Sequence, residues 1–233
     1  MKSEKDLMVG EMFRLVGREH GYDDVKARFY PFKEFKSTWC RNGQTAEFRI
    51  SDYIQWANDE VLEDFARCVF GRISNRGRRE VYTDRLRRWL QSQEFILRNR
   101  TLYLERSRNL TLSPAGQVLD LREIRANLKD KGLIEDSSDA FLSWTVCGNV
   151  HRVGYCSVIM RVIAISSVLD TISMPDYVVE YVLYHEILHL ESGLGSLPSG
   201  HGREFRMKEK MYPKWREADE WLKKVASRKE LGT

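Results

Sequence analysis

The chain has 233 residues, 42% hydrophobic and 11% aromatic, with a net charge of +4 at pH 7. That is enough apolar material for one large core or two small ones without disulfide or metal staples. No apolar run reaches the ~18–20 residues of a membrane span. The charged start Met1-Lys2-Ser3-Glu4-Lys5-Asp6 has no signal-type apolar stretch behind it, so a cytoplasmic protein without a membrane partner is expected.

Cys40, Cys68, Cys147 and Cys156 are scattered and form no C-x-x-C pair. Neither a zinc ribbon nor a disulfide framework is expected, and all four read as reduced structural thiols.

Residues 2–20 read as a helix with Leu7, Met8, Met12, Leu15 and Val16 on its apolar side. Phe32–Cys40 and Glu47–Ile50 read as strands around the turn Arg41-Asn42-Gly43. A helix capped by Ser51 or by Asn58-Asp59 should run to about Ile73, with Val61, Leu62, Phe65, Val69 and Phe70 inside. Ser74-Asn75-Arg76-Gly77 breaks the chain, and another helix is expected over about Arg79–Phe95. This middle is basic, with twelve arginines against four acids between Arg67 and Arg108. One reading is a nucleic-acid groove. There Arg78, Arg79, Arg85, Arg87 and Arg88 would neutralise phosphates while Tyr82, Trp89, Phe95 and Tyr103 stack on bases. The plainer reading is a solvated helix face with its aromatics in the core.

Ser113-Pro114-Ala115-Gly116 is the best boundary in composition, separating an Arg-rich α+β region 1–115 from a domain 116–233. Beyond it, Asp120–Lys131 reads as a helix stopped by Gly132, and Ala140–Cys147 and Val158–Ile165 read as strands. Pro175 leads into an apolar helix; a loop over Ser192–Gly200 and helices over His201–Met211 and Lys214–Ala226 complete the chain. The halves echo each other. Phe35–Trp39 compares with Phe141–Trp144, Phe48–Ser51 with Ile163–Ser166, and Glu60–Glu63 with Tyr177–Glu180. A helix–strand–strand–helix unit present twice is expected, with Cys68 and Arg72 standing in the first copy where His185 and His189 stand in the second.

From Val178 to Leu190 nearly every position is apolar or aromatic, so this helix belongs inside the fold. His185, Glu186 and His189 are costly to bury there unless something partners them. His185 and His189 are four apart, one turn apart on one helix face, and can bind one Zn²⁺. Glu186, next to the first ligand, can reach a metal-bound water as general base. This H-E-x-x-H pattern is that of metallopeptidases. A catalytic zinc needs a third protein ligand. Glu191, His201 and Glu204 are the candidates, with His201 preferred because a flexible loop brings it back and it opens a helix. Glu204 is the fallback, or an acceptor for a ligand imidazole. His20 and His151 read as surface histidines, Glu180 as a solvated or capping residue, and Tyr184 and Tyr212 as packing residues.

His185-Glu186-Ile187-Leu188-His189, then His201-Gly202-Arg203-Glu204-Phe205, Tyr212-Pro213-Lys214-Trp215-Arg216 and Trp221-Leu222, resemble the YgjP-like and SprT-like metallopeptidases, small zincins of the minigluzincin type. The resemblance covers about residues 116–227. It implies an α+β zincin-like fold with a small twisted sheet packed on the H-E-x-x-H helix, and zinc held by His185, His189 and His201. The chain differs in its loop, since eleven residues separate His189 from His201, and in lacking the zinc ribbon of many SprT-like proteins. A zinc-dependent peptidase acting on protein or peptide substrates is therefore expected. The alternative is a zinc-bearing nucleic-acid- or protein-binding module with latent or vestigial peptidase activity. Nucleic acid, in that case, would be held by the Arg67–Arg108 region.

Overall fold

Helix α1 (Glu4–Glu19) opens the computed structural model, which describes residues 4–74, 82–135, 139–195 and 201–227. Its buried stripe is Val9, Phe13, Val16 and Gly17. Leu7, Met8 and Leu15, expected inside, are exposed instead. The stripe sits where it does because Gly17 lets the helix press on the first strand. A Cβ at that position would lie 2.6 Å from Val25 Cγ2.

Three strands follow: β1 (Asp24–Tyr30), β2 (Ser37–Asn42) and β3 (Thr45–Ser51). β3 is central, parallel to β1 and antiparallel to β2. The expected turn joins β2 to β3, with Gly43 at φ 56°. β1 was not expected. Its inward side is only Val25, Ala27 and Phe29, interleaved with charged residues. A 3₁₀ turn (Asp52–Ile54) leads to α2 (Asp59–Ser74). Asn58 caps α2, its Oδ1 accepting from Val61 N at 3.0 Å. Phe13, Phe48, Phe65 and Phe70 form the aromatic centre of this core.

The single helix expected over Arg79–Phe95 is two: α3 (Asp84–Leu90), capped by Thr83, and α4 (Gln93–Glu105), started by Ser92 Oγ. Each serine or threonine satisfies an orphan N–H at a helix start. Arg78 and Arg79 lie outside the described residues. Phe95 and Tyr103 are buried, so they are core and not stacking surfaces.

The chain divides into two compact units, Met1–Asn99 and Arg100–Thr233. The composition break at 115/116 falls inside the second. Leu110 bridges Thr145 there, and Trp144 Nε1 donates to Pro114 O at 3.0 Å. In this unit α5 (Leu121–Asp130) starts on an Asp120 cap, ends at Gly132 with φ 67°, and buries Leu121, Ile124 and Leu128. The sheet holds β4 (Phe141–Trp144), β5 (Gly154–Ser157) and β6 (Val162–Ile165). β6 is central, parallel to β4 and antiparallel to β5. A 3₁₀ turn (Ser167–Leu169), α6 (Asp176–Ser192), α7 (Arg203–Glu209) and α8 (Trp215–Ser227) follow.

The fold is thus α+β with two small mixed sheets, and both units run helix, three strands, 3₁₀ turn, helix. Each carries one more strand than expected, β1 in the first unit and β5 in the second. In each, a buried serine at the end of the central strand (Ser51, the last residue of β3) or just past it (Ser166) donates its N–H to the residue just before the antiparallel strand: Ser51 to Lys36 O at 3.0 Å, Ser166 to Val153 O at 2.8 Å. Two of the three echoes fall at equivalent places. The third, Phe35–Trp39 with Phe141–Trp144, does not. Trp39 lies on the antiparallel strand and Trp144 on the parallel one.

Among the described residues no helix is long and apolar enough to cross a membrane. All four cysteines are free, but Cys40 and Cys147 are exposed and so are not buried structural thiols.

Candidate metal centre

The second core is built around α6. Val178, Val179, Val182, Leu183, Ile187 and Leu188 are buried on several sides of it, against Leu142, Trp144, Ile163 and Ile165 of the sheet. One face is left for polar groups, and there His185 and His189 lie half-buried with their Nε2 atoms 3.2 Å apart. His201, two residues ahead of α7, comes back over them. Its Nε2 is 3.3 Å from that of His185 and 3.1 Å from that of His189. The Phe205 ring, on the first turn of α7, packs against all three imidazoles with centroids 4.6–5.2 Å away.

Three mutual contacts between ring nitrogens cannot all be hydrogen bonds. A neutral imidazole has one N–H, and that of His185 is directed elsewhere: its Nδ1 lies 2.7 Å from Glu209 Oε1. Its Nε2 therefore presents a lone pair to the other two histidines. Burial, then the neighbouring His185 and His201, pushes His189 down to about 4, so at neutral pH its imidazole is uncharged. Burial lowers His201 as well. Uncharged imidazole is the form that binds a metal. A tetrahedral zinc with Zn–N bonds near 2.0–2.1 Å spaces its ligand nitrogens about 3.3–3.4 Å apart. The observed edges of 3.1–3.3 Å match that donor set. Among the described residues no other His, Cys, Asp or Glu joins the group.

Glu186 is buried beside these histidines. Its carboxyl fits only because residue 154 is glycine. A Cβ there would lie 2.7 Å from Glu186 Oε1 and 2.9 Å from Val182 Cγ1. Burial pushes Glu186 up to about 7, with His185 and Arg152 pulling the other way. A carboxyl in that range can take and return a proton near neutrality.

The other candidates are engaged elsewhere. Glu191 Oε1 accepts from Glu135 N at 3.4 Å. Glu204 is exposed, with Lys208 Nζ 3.6 Å away. The acceptor for a ligand imidazole is not Glu204 but Glu209, one turn beyond Phe205 on α7, which also accepts from Tyr181 OH at 3.1 Å. Its signal in the sequence is faint: an acid four residues after Phe205. Glu180 is neither solvated nor capping. It is buried and takes the Lys131 ammonium and the Tyr212 hydroxyl. Tyr184 donates to Lys208 O at 2.6 Å, so both tyrosines hold α6 to the segment after it.

In the basic middle, Arg85 pairs with Glu60 and Asp64, Arg87 with Asp84, and Arg88 Nε donates to Asp84 O.

Residues 143–225 match the family model of the YgjP-like metallopeptidase domain. This is the family that the residues around His185 and His201 resemble, and the match spans the second sheet from the middle of β4 onward, α6, α7 and nearly all of α8. No curated protein and no solved structure gives a significant match to the chain.

Proposed function

We propose that this chain, whose residues 143–225 match a YgjP-like metallopeptidase domain, is a zinc-dependent peptidase with its centre at His185, His189 and His201. The observation carrying the proposal is the trio of Nε2 atoms 3.1–3.3 Å apart with a buried carboxyl alongside. Bound zinc supplies Lewis acidity, which polarises a carbonyl and acidifies water. Glu186 supplies the base: a buried carboxyl that accepts a proton and later delivers it to the leaving amine. Glu209 holds the His185 ring in the tautomer that turns Nε2 toward the site. Gly154 keeps the space that the Glu186 carboxyl occupies. The lack of a fourth protein ligand among the described residues favours catalysis over a closed structural site. The test is the variant Glu186→Gln, which should retain zinc and lose peptide hydrolysis. Hydrolysis at the wild-type rate would remove Glu186 from this role.

We also infer that the first unit is a degenerate copy of the second. Support comes from the shared strand order and directions, and from the paired serines Ser51 and Ser166. Aligned on the helices α2 and α6, the positions of His185, Glu186 and His189 hold Cys68, Val69 and Arg72. Such a unit has the scaffold but not the chemistry. It is then free for another role, which a binding module would fill.

A further inference from the structure

The first sheet has one face on α1 and α2, through Val25, Ala46, Phe48 and Ile50. The other face is open. It carries Lys26 and Arg28 from β1, Thr38 and Cys40 from β2, and Glu47 and Arg49 from β3, all exposed. They surround a depression of about 450 Å³. The register sets Arg28 directly beside Arg49, with Thr38 on the far side of Arg49. Like charges in adjacent positions on a sheet cost stability. Lys26 relieves its own charge with Asp24 at 3.7 Å and Glu47 at 3.9 Å. Arg28 and Arg49 have no carboxylate partner among the described residues. Elsewhere in the unit, Arg67 and Arg85 each hold two carboxylates. Beside the arginine pair stands Tyr30, 38% exposed, with the Arg49 guanidinium 5.5 Å over its ring.

We propose that this open face binds single-stranded nucleic acid, with Arg28 and Arg49 taking phosphates and Tyr30 stacking on a base. Two guanidiniums left without acids, in a shallow depression, are complementary to a phosphate backbone. The adjacent Tyr30 ring, partly exposed although it packs against Phe32 with centroids 4.7 Å apart, adds a surface for what a single strand offers and a duplex hides, the face of a base. An acidic peptide would satisfy the arginines but give the ring no planar partner. The basic middle, by contrast, has spent Arg85 and Arg87 on its own acids. The proposal does not depend on the metal chemistry of the second unit.

The test uses the full chain and fluorescence anisotropy at low ionic strength. The probes are a labelled 12-nucleotide oligo-dT, a 12-base-pair duplex and a 12-residue polyglutamate. The oligo-dT should bind tightest. Arg28→Ala with Arg49→Ala should weaken it at least tenfold and reduce the salt slope by about 1.4, from ~0.7 per phosphate contact on a single strand. Thermal stability should not fall, since the pair repels. Tyr30→Ala should weaken binding about tenfold. If the double variant does not fold, Arg49→Gln alone carries the test, with a loss of several-fold. No binding at low salt, duplex or polyglutamate binding as tightly as oligo-dT, or wild-type affinity in the folded variants would each overturn the proposal.

Discussion

Glu209 Oε1 lies 2.7 Å from His185 Nδ1 and so decides which nitrogen of that imidazole faces His189 and His201. Without the carboxylate the ring could carry its proton on Nε2 and lose the lone pair that a metal needs. Glu209→Ala is expected to lower zinc affinity by about 10–100-fold, and Glu209→Gln by less. Competition with a chromophoric chelator measures both. Wild-type affinity in Glu209→Ala would mean that the contact only packs α7.

Glu186 is expected to separate chemistry from metal binding. Glu186→Gln keeps the shape and burial but cannot accept a proton. Turnover should fall by at least about 10²–10⁴, with zinc content unchanged by elemental analysis. A variant that loses its zinc instead would show that Glu186 holds the site together and does not act within it.

The pair of histidines on α6 was legible because a spacing of four on a helix admits little else than a shared face. His201 was legible too, because a Gly- and Ser-rich stretch of sequence precedes a histidine that stands just ahead of α7. Glu209 was not. Its role depends on where the far end of a seven-residue helix lands, and that is set by Phe205 wedging against three rings. Tertiary contact likewise decided α1. Two apolar stripes compete on that helix, and the close approach at Gly17 selects the one containing Phe13. β1 and β5 escaped for another reason: their apolar positions are few, and their pairing partner β3 or β6 supplies the order that their own residues do not.

Two glycines should respond in opposite directions to alanine. At position 154 the new methyl meets Glu186 Oε1 at 2.7 Å and Val182 Cγ1 at 2.9 Å, so the buried carboxyl must shift to admit it. Gly154→Ala is expected to cost about 1–3 kcal/mol and to cut turnover at least tenfold while zinc stays bound. Gly71 lies within α2, and nothing lies within 4 Å of a Cβ there. Gly71→Ala should stabilise the chain by about 0.5–1 kcal/mol. Chemical denaturation reads both. Equal effects at the two sites would show that Gly154 has no steric part in placing Glu186.

Zinc should bind once per chain, in the second unit alone. The first unit has the same strand order, yet aligned on the helices α2 and α6 it offers, at the places of the two helix ligands, one thiol, Cys68, and the guanidinium of Arg72, which lies 5.2 Å over the Trp39 ring. Arg72 cannot deprotonate to become a ligand, and one thiolate does not make a zinc site. Cys68→Ser should therefore leave zinc content unchanged, whereas His185→Ala and His189→Ala should abolish it. Chelation should lower the melting temperature of the second unit. At free zinc a hundredfold above the dissociation constant the lost linkage is about 2.7 kcal/mol, or roughly 5–10 °C. The first unit should melt where it did before. Two zinc ions per chain, or loss of zinc in Cys68→Ser, would show that the first unit retained a metal site of its own.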